Sequence, residues 1–167
     1  EMLPSFSNDN FTIGIFGNYS SPDRSKLYAN NENLDTFMID ILNIIKNQKL
    51  NAYVKSFKKK FKKIENNIIQ YKSRNVILVS ELLRSNVKND RGALVSAKKI
   101  IDKSDLIICF PFTTPGFEAQ YNNKNVFFYD PASVIGKNTY LSRSIPIIRG
   151  KEELLKTINF YLSSGSI

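Results

Sequence analysis

The stretch Asp105-Leu-Ile-Ile-Cys-Phe-Pro-Phe-Thr-Thr-Pro-Gly-Phe-Glu118, followed by Asn125-Val-Phe-Phe-Tyr-Asp-Pro131, decides how this chain folds. The apolar run from Leu106 to Phe110 reads as a strand buried on both faces. It runs into a Pro-Phe-Thr-Thr-Pro-Gly turn that opens a short helix. Pro115 suits the first helical position, which makes Thr114 the expected cap. Such a turn offers the hydroxyls of Thr113 and Thr114 and the amide of Gly116 at a helix N-terminus, a suitable place for an anion such as phosphate. Glu118, read as part of the first turn, is placed to accept hydrogen bonds from a sugar attached to that phosphate. A second strand, Val126 to Tyr129, follows at once and ends in Asp130-Pro131 on the same sheet edge. The competing reading is structural. Thr-Pro is a common helix start, an acid is favourable near a helix N-terminus, and Asp130 suits the capping of an Asp-Pro-Ala-Ser turn.

Outward from this core, strands and helices alternate. Phe11 to Phe16 is a strand ending in Gly17-Asn-Tyr-Ser-Ser-Pro22, and a polar loop runs on to Asn33. Leu34, Phe37, Met38, Ile41, Leu42 and Ile45 recur at helical spacing. Ala52 to Phe57 reads as a strand that enters the basic run Lys58-Lys-Lys-Phe-Lys-Lys63, and residues 64–72 read as helical. Val76 to Val79 is a further strand. Asp90 is the expected cap of a helix through Lys103. Pro146 to Ile148 is extended, and Lys151 to Leu162 forms a last helix. This alternation predicts one α/β domain, a Rossmann-like parallel sheet of roughly six strands with helices on both faces. A flavodoxin-like domain is the nearest competitor. Ligands of such sheets bind beyond the carboxyl ends of the strands. There lie Gly17 to Pro22, Lys55 to Lys60, Ser80-Glu81, Phe112 to Gly116 and Asp130-Pro131.

Composition narrows the chemistry. The 167 residues carry a formal charge of +9, with one cysteine and no histidine. His-based triads, His general bases and His metal sites are therefore excluded within this chain. Cys109, inside an apolar strand, reads as a small buried hydrophobe. A lone cysteine forms no internal disulfide, which fits a reducing cytoplasm. No apolar run approaches the length of a membrane span. The positive balance suits a phosphate-bearing ligand, nucleic acid or an anionic membrane surface, or it reflects biased composition alone. Gly-x-Gly-x-x-Gly and the P-loop pattern are absent, so dinucleotide and ATP sites of those types are unsupported.

Pro111-Phe112-Thr113-Thr114-Pro115, then Phe128-Tyr129-Asp130-Pro131, then Ile145-Pro-Ile-Ile-Arg-Gly-Lys-Glu-Glu-Leu154, resemble the "PFTS motif" family of surface-polysaccharide biosynthesis proteins. The family's Pro-Phe-Thr-Ser is Pro-Phe-Thr-Thr here, which keeps the hydroxyl. Its Tyr-Tyr-Asp-Pro is Phe-Tyr-Asp-Pro. The resemblance covers roughly residues 55–160. That family is in turn similar to GT-B glycosyltransferases, including bacterial transferases that use CMP-activated Kdo.

The resemblance implies that residues 1–167 form the nucleotide-sugar-binding half of such an enzyme, a fragment of a larger two-domain protein. Its expected partners are a nucleotide-sugar donor, a glycan or glycolipid acceptor, and an N-terminal domain that brings the catalytic base. The donor-binding residues it implies are Gly17, Asn18, Lys55, Lys58, Thr113, Thr114, Gly116, Glu118 and Asp130. The catalytic residues are left open, and no cofactor or metal is expected. Location in the cytoplasm, peripheral to the inner membrane, completes the expectation. The alternative is a non-catalytic basic module that binds nucleotide or nucleic acid, to which Phe57 and Phe61 among the lysines would contribute. Their i, i+4 spacing favours core packing instead.

Overall fold

A computed structural model describes residues 3–17, 31–56, 74–79, 96–136 and 144–164 of the chain. The strands are β1 (Thr12–Gly17), β2 (Asn51–Ser56), β3 (Val76–Leu78), β4 (Leu106–Cys109), β5 (Asn125–Asp130) and β6 (Ile147–Arg149). The helices are α1 (Asn31–Gln48), α2 (Ala97–Asp102), α3 (Thr114–Tyr121) and α4 (Gly150–Ser164). All six strands pair in parallel, in the order β3-β2-β1-β4-β5-β6. This is the doubly wound order of dinucleotide-binding sheets and differs from the flavodoxin-like order.

The order follows from one reversal. From β1 the chain moves outward to β2 and β3, returns to the far side of β1 as β4, then moves outward the other way. Right-handed crossovers made in opposite directions must lie on opposite faces. The helices obey this. α1, which links β1 to β2, packs on one face with α4, where Phe37, Met38, Ile41, Leu154 and Ile158 cover Ile13, Ile15, Val54, Ile108 and Phe127. α2 and α3 cover the other face, where Ile100, Ile101 and Ala119 meet Phe16, Tyr53, Ile107, Cys109 and Phe128. Burial on both faces explains the unbroken apolar strands.

One boundary differs from expectation. Ser96 caps α2, accepting a hydrogen bond from Lys99 N, so this helix begins at Ala97 and not at Asp90. Ser96 competes for the role because its side-chain oxygen reaches the first free amides of its own turn. Residues 80–95, the proposed helix at 64–72 and the lysine run from Lys58 lie outside the described residues. No helix among the described residues is long and apolar enough to cross a membrane.

A polar contact crosses the α1 face. The buried Tyr129 hydroxyl donates to Asp40 Oδ2 at 2.7 Å, and Lys151 Nζ stands 4.0 Å from Asp40 Oδ1. Asp40 interrupts the apolar stripe of α1 because it has this partner. Asp40→Ala would leave the phenol without its acceptor and is expected to cost about 1–3 kcal/mol in urea unfolding. Asp40→Asn, which keeps an acceptor, should recover most of that loss. Equal losses for the two variants would refute the pairing.

Candidate functional site

The sheet reverses direction between β1 and β4, and sheets of this order take their ligands in a crevice beyond the carboxyl ends of the strands at that switch point. Gly17 ends β1 on one side. Its α-carbon faces α1, where an added Cβ would lie 3.3 Å from Met38 Sδ. On the other side β4 passes through Phe110 and Pro111 into α3. The local sequence sets this turn. Phe112 adopts φ 60°, in the left-handed region. That strain, of order 1–3 kcal/mol, is offset by packing, since the Phe112 ring lies edge-on to Phe128 with centroids 5.6 Å apart.

The turn differs from its sequence reading in one register step. Thr113, not Thr114, is the N-cap residue, and its side chain makes no capping bond. Its hydroxyl donates instead to Phe110 O at 2.9 Å. Thr114 and Pro115 then occupy the first two helical positions, where proline is tolerated because the N–H is unbonded anyway. The Gly116 amide donates to Thr113 O at 3.1 Å. Gly116 is required for another reason: an added Cβ would come within 2.5 Å of the Phe128 ring. The donors left facing outward are the exposed Thr114 hydroxyl and the Thr114 N–H, which has no acceptor within the helix.

Lys55 and Glu118 meet the switch point from the α3 face. Lys55 pairs in register with Phe16, whose other neighbour is Cys109, so all three side chains point to the same face. Lys55 is a strand residue, as expected, and is buried at 5% exposure. Burial lowers its pKa, and the Glu118 carboxylate opposes that fall. Glu118 lies in the second turn of α3, because the helix starts at Thr114, and is half-buried. A phosphate beside Lys55 would therefore meet a cation already tied electrostatically to Glu118. Asn18 and Lys58, also expected here, lie outside the described residues.

Asp130 closes the row at the end of β5. It is buried, and its Oδ2 accepts from Ile135 N at 2.8 Å. Arg149, which pairs with Asp130 in register, was not singled out from sequence. It donates through Nε to Ile135 O at 2.9 Å and through Nη2 to Gly136 O at 3.3 Å, so it braces the loop after β5. Its place in the Ile-Ile-Arg-Gly-Lys-Glu-Glu stretch, at the end of a strand, was the available signal.

Among the described residues, clefts open at the amino edge of the sheet. One is lined by Phe11, Asp105, Asn125 and Tyr161, another by Asn10, Thr12, Tyr53 and Lys103. Parallel sheets of this type place their ligands at the opposite edge. Comparison with curated proteins finds no match for this chain. A family model described as "Polysaccharide biosynthesis PFTS motif protein" matches residues 6–158, from before β1 into α4 and well beyond the motifs themselves, and the chain belongs to that family.

Proposed function

We propose that this chain is the donor-binding half of a GT-B-type glycosyltransferase in bacterial surface-polysaccharide synthesis. The observation that carries the reading is the position of the family's signature turn. In a sheet of order 3-2-1-4-5-6, Pro111 to Gly116 and Gly17 flank the switch point, where such sheets take nucleotides. Thr114 would donate to a donor phosphate, Lys55 would neutralise part of its charge, and Glu118 would accept from the ribose. Gly17 would let the donor sugar approach β1. The donor is a nucleotide sugar, with CMP-Kdo or a related acidic sugar as the leading candidate. The phosphate charge is borne by lysine and helix N–H groups, without a metal.

GT-B sites lie between two halves, so the catalytic base and the glycan or glycolipid acceptor site are assigned to a second domain. The place of action is the cytoplasmic side of the inner membrane, where such acceptors are presented. The second reading is a nucleic-acid-binding module, favoured by the charge of +9. Calorimetry with CMP, UDP and GDP beside short oligonucleotides separates the two. Saturable binding that prefers one nucleotide base, and is lost in Thr114→Ala by about tenfold or more, is expected. Tight, steeply salt-dependent oligonucleotide binding with no nucleotide preference would overturn the proposal.

A further inference from the structure

Asp130 is 1% exposed, yet only one of its carboxylate oxygens is used. Oδ2 takes the Ile135 N–H, whereas Oδ1 is buried without a hydrogen-bond partner among the described residues. Buried polar atoms in native proteins are nearly always paired, because leaving one unpaired is costly. A cation is near enough to have served. Arg149 is the in-register neighbour, but its guanidinium is committed to the carbonyls of Ile135, Ile147 and Gly136. The same bonds, with Ser133 N donating to Asp130 O, brace the loop that holds the carboxylate in place.

The unpaired oxygen also lies at the edge of the sheet where ligands of such folds bind. Asp130 lies two residues beyond Phe128 on the same face of the sheet. Phe128 is the ring beneath Gly116 and against Phe112 and Phe117. Asp130 is therefore the last residue of β5, at the same carboxyl edge as the signature turn.

We propose that Asp130 Oδ1 is the specificity acceptor of this site, filled by a single hydrogen-bond donor of the bound nucleotide. The inference rests on the nucleotide reading given above. A carboxylate is an acceptor only. It would accept from the exocyclic amine of cytosine or from a ribose hydroxyl, and it would oppose the carbonyl that uracil presents at the same ring position. One free oxygen suits one donor, and not the paired donors of a guanine edge.

The test compares CMP, UMP and their 2′-deoxy forms by calorimetry on the parent chain and on Asp130→Asn. The amide can keep the Ile135 bond through its oxygen while its NH2 replaces the acceptor with a donor. If the base amine is read, the parent prefers CMP over UMP by about tenfold or more, and D130N reverses that preference. If the ribose hydroxyl is read, the parent prefers the ribonucleotides whatever the base, and D130N loses that preference. Either pattern supports the proposal. Nucleotide binding by the parent with no discrimination of base or sugar, or discrimination unchanged in D130N, overturns it and leaves the nucleotide reading intact. Binding of none of the four overturns this proposal, and the nucleotide reading falls with it only if GDP is not bound either. Should D130N fail to fold, discrimination by the parent alone decides.

Discussion

Phe128→Ala is expected to cost about 3–5 kcal/mol of stability, the range for removing a fully buried aromatic ring. Phe128 has no exposed surface, and its ring is enclosed by Phe112 and Phe117, each edge-on at 5.6 Å, and by the backbone of Gly116. The cavity would open directly under the start of α3, so the site should suffer with the fold. Phe112 would lose the contact that offsets its left-handed backbone. Chemical denaturation of the parent, Phe128→Ala and Phe128→Leu measures this. Leucine refills much of the volume and should cost less than alanine. A loss below about 1 kcal/mol for the alanine variant would mean that the ring is not the support of the turn.

Stability should also fall at alkaline pH, with Cys109 the first group to contribute and Tyr53 and Tyr129 following. Burial pushes its thiol from 9.0 up to about 12, against a hydrogen bond with Thr113 that pulls the other way. Burial also raises Tyr53, and burial followed by the hydrogen bond to Asp40 raises Tyr129, each from 10.0. In all three the folded state favours the neutral form. Their contribution is complete below the unfolded values and is lost as pH rises past them, because only the unfolded chain then releases protons. At about 1.4 kcal/mol per tenfold change in acidity, the thiol alone accounts for up to about 4 kcal/mol between pH 9.0 and about 12. Unfolding measured across that range should be steep for the parent. Cys109→Ala should decline less relative to its own stability at neutral pH, keeping only the tyrosine component above pH 10. Parallel declines would rule out the thiol as a contributor.

Most of the architecture was legible because burial on both faces leaves a plain mark. The runs Leu106 to Cys109 and Val126 to Tyr129 have no other use than central parallel strands, and the stripe from Leu34 to Ile45 has none but α1. The strand order was not legible. Nothing local in β4 states that it pairs with β1 and not with β3, yet that pairing sets the switch point of the sheet. The turn was legible in kind but not in register. Proline is compatible with either of the first two helical positions, and the conformation of Phe112, set by the distant Phe128, chose between them. Lys55 shows the same limit. In sequence it lies in a strand that runs into a basic stretch, and only the pairing with Phe16 shows that it is buried on the α3 face beside Glu118. Asp40 and Arg149 escaped notice because their partners, Tyr129 and the loop at Ile135 to Gly136, are reached only through the fold.

The pairing of β1 with β4 has a consequence for how the molecule comes into being. β1 and β2 are joined by one helix, and β4 and β5 by another, so each of these units can form from neighbouring stretches of chain. The junction between them is of another kind: Thr12 N meets Asp105 Oδ2 across 93 positions of sequence. Contacts of such span lengthen the search for the native arrangement far more than they weaken it once made. During synthesis, β1 must wait with one edge unpaired until β4 has been made. The switch point is therefore among the last features to assemble, and a slow or interrupted folding reaction would yield chains with ordered halves and no place for a ligand.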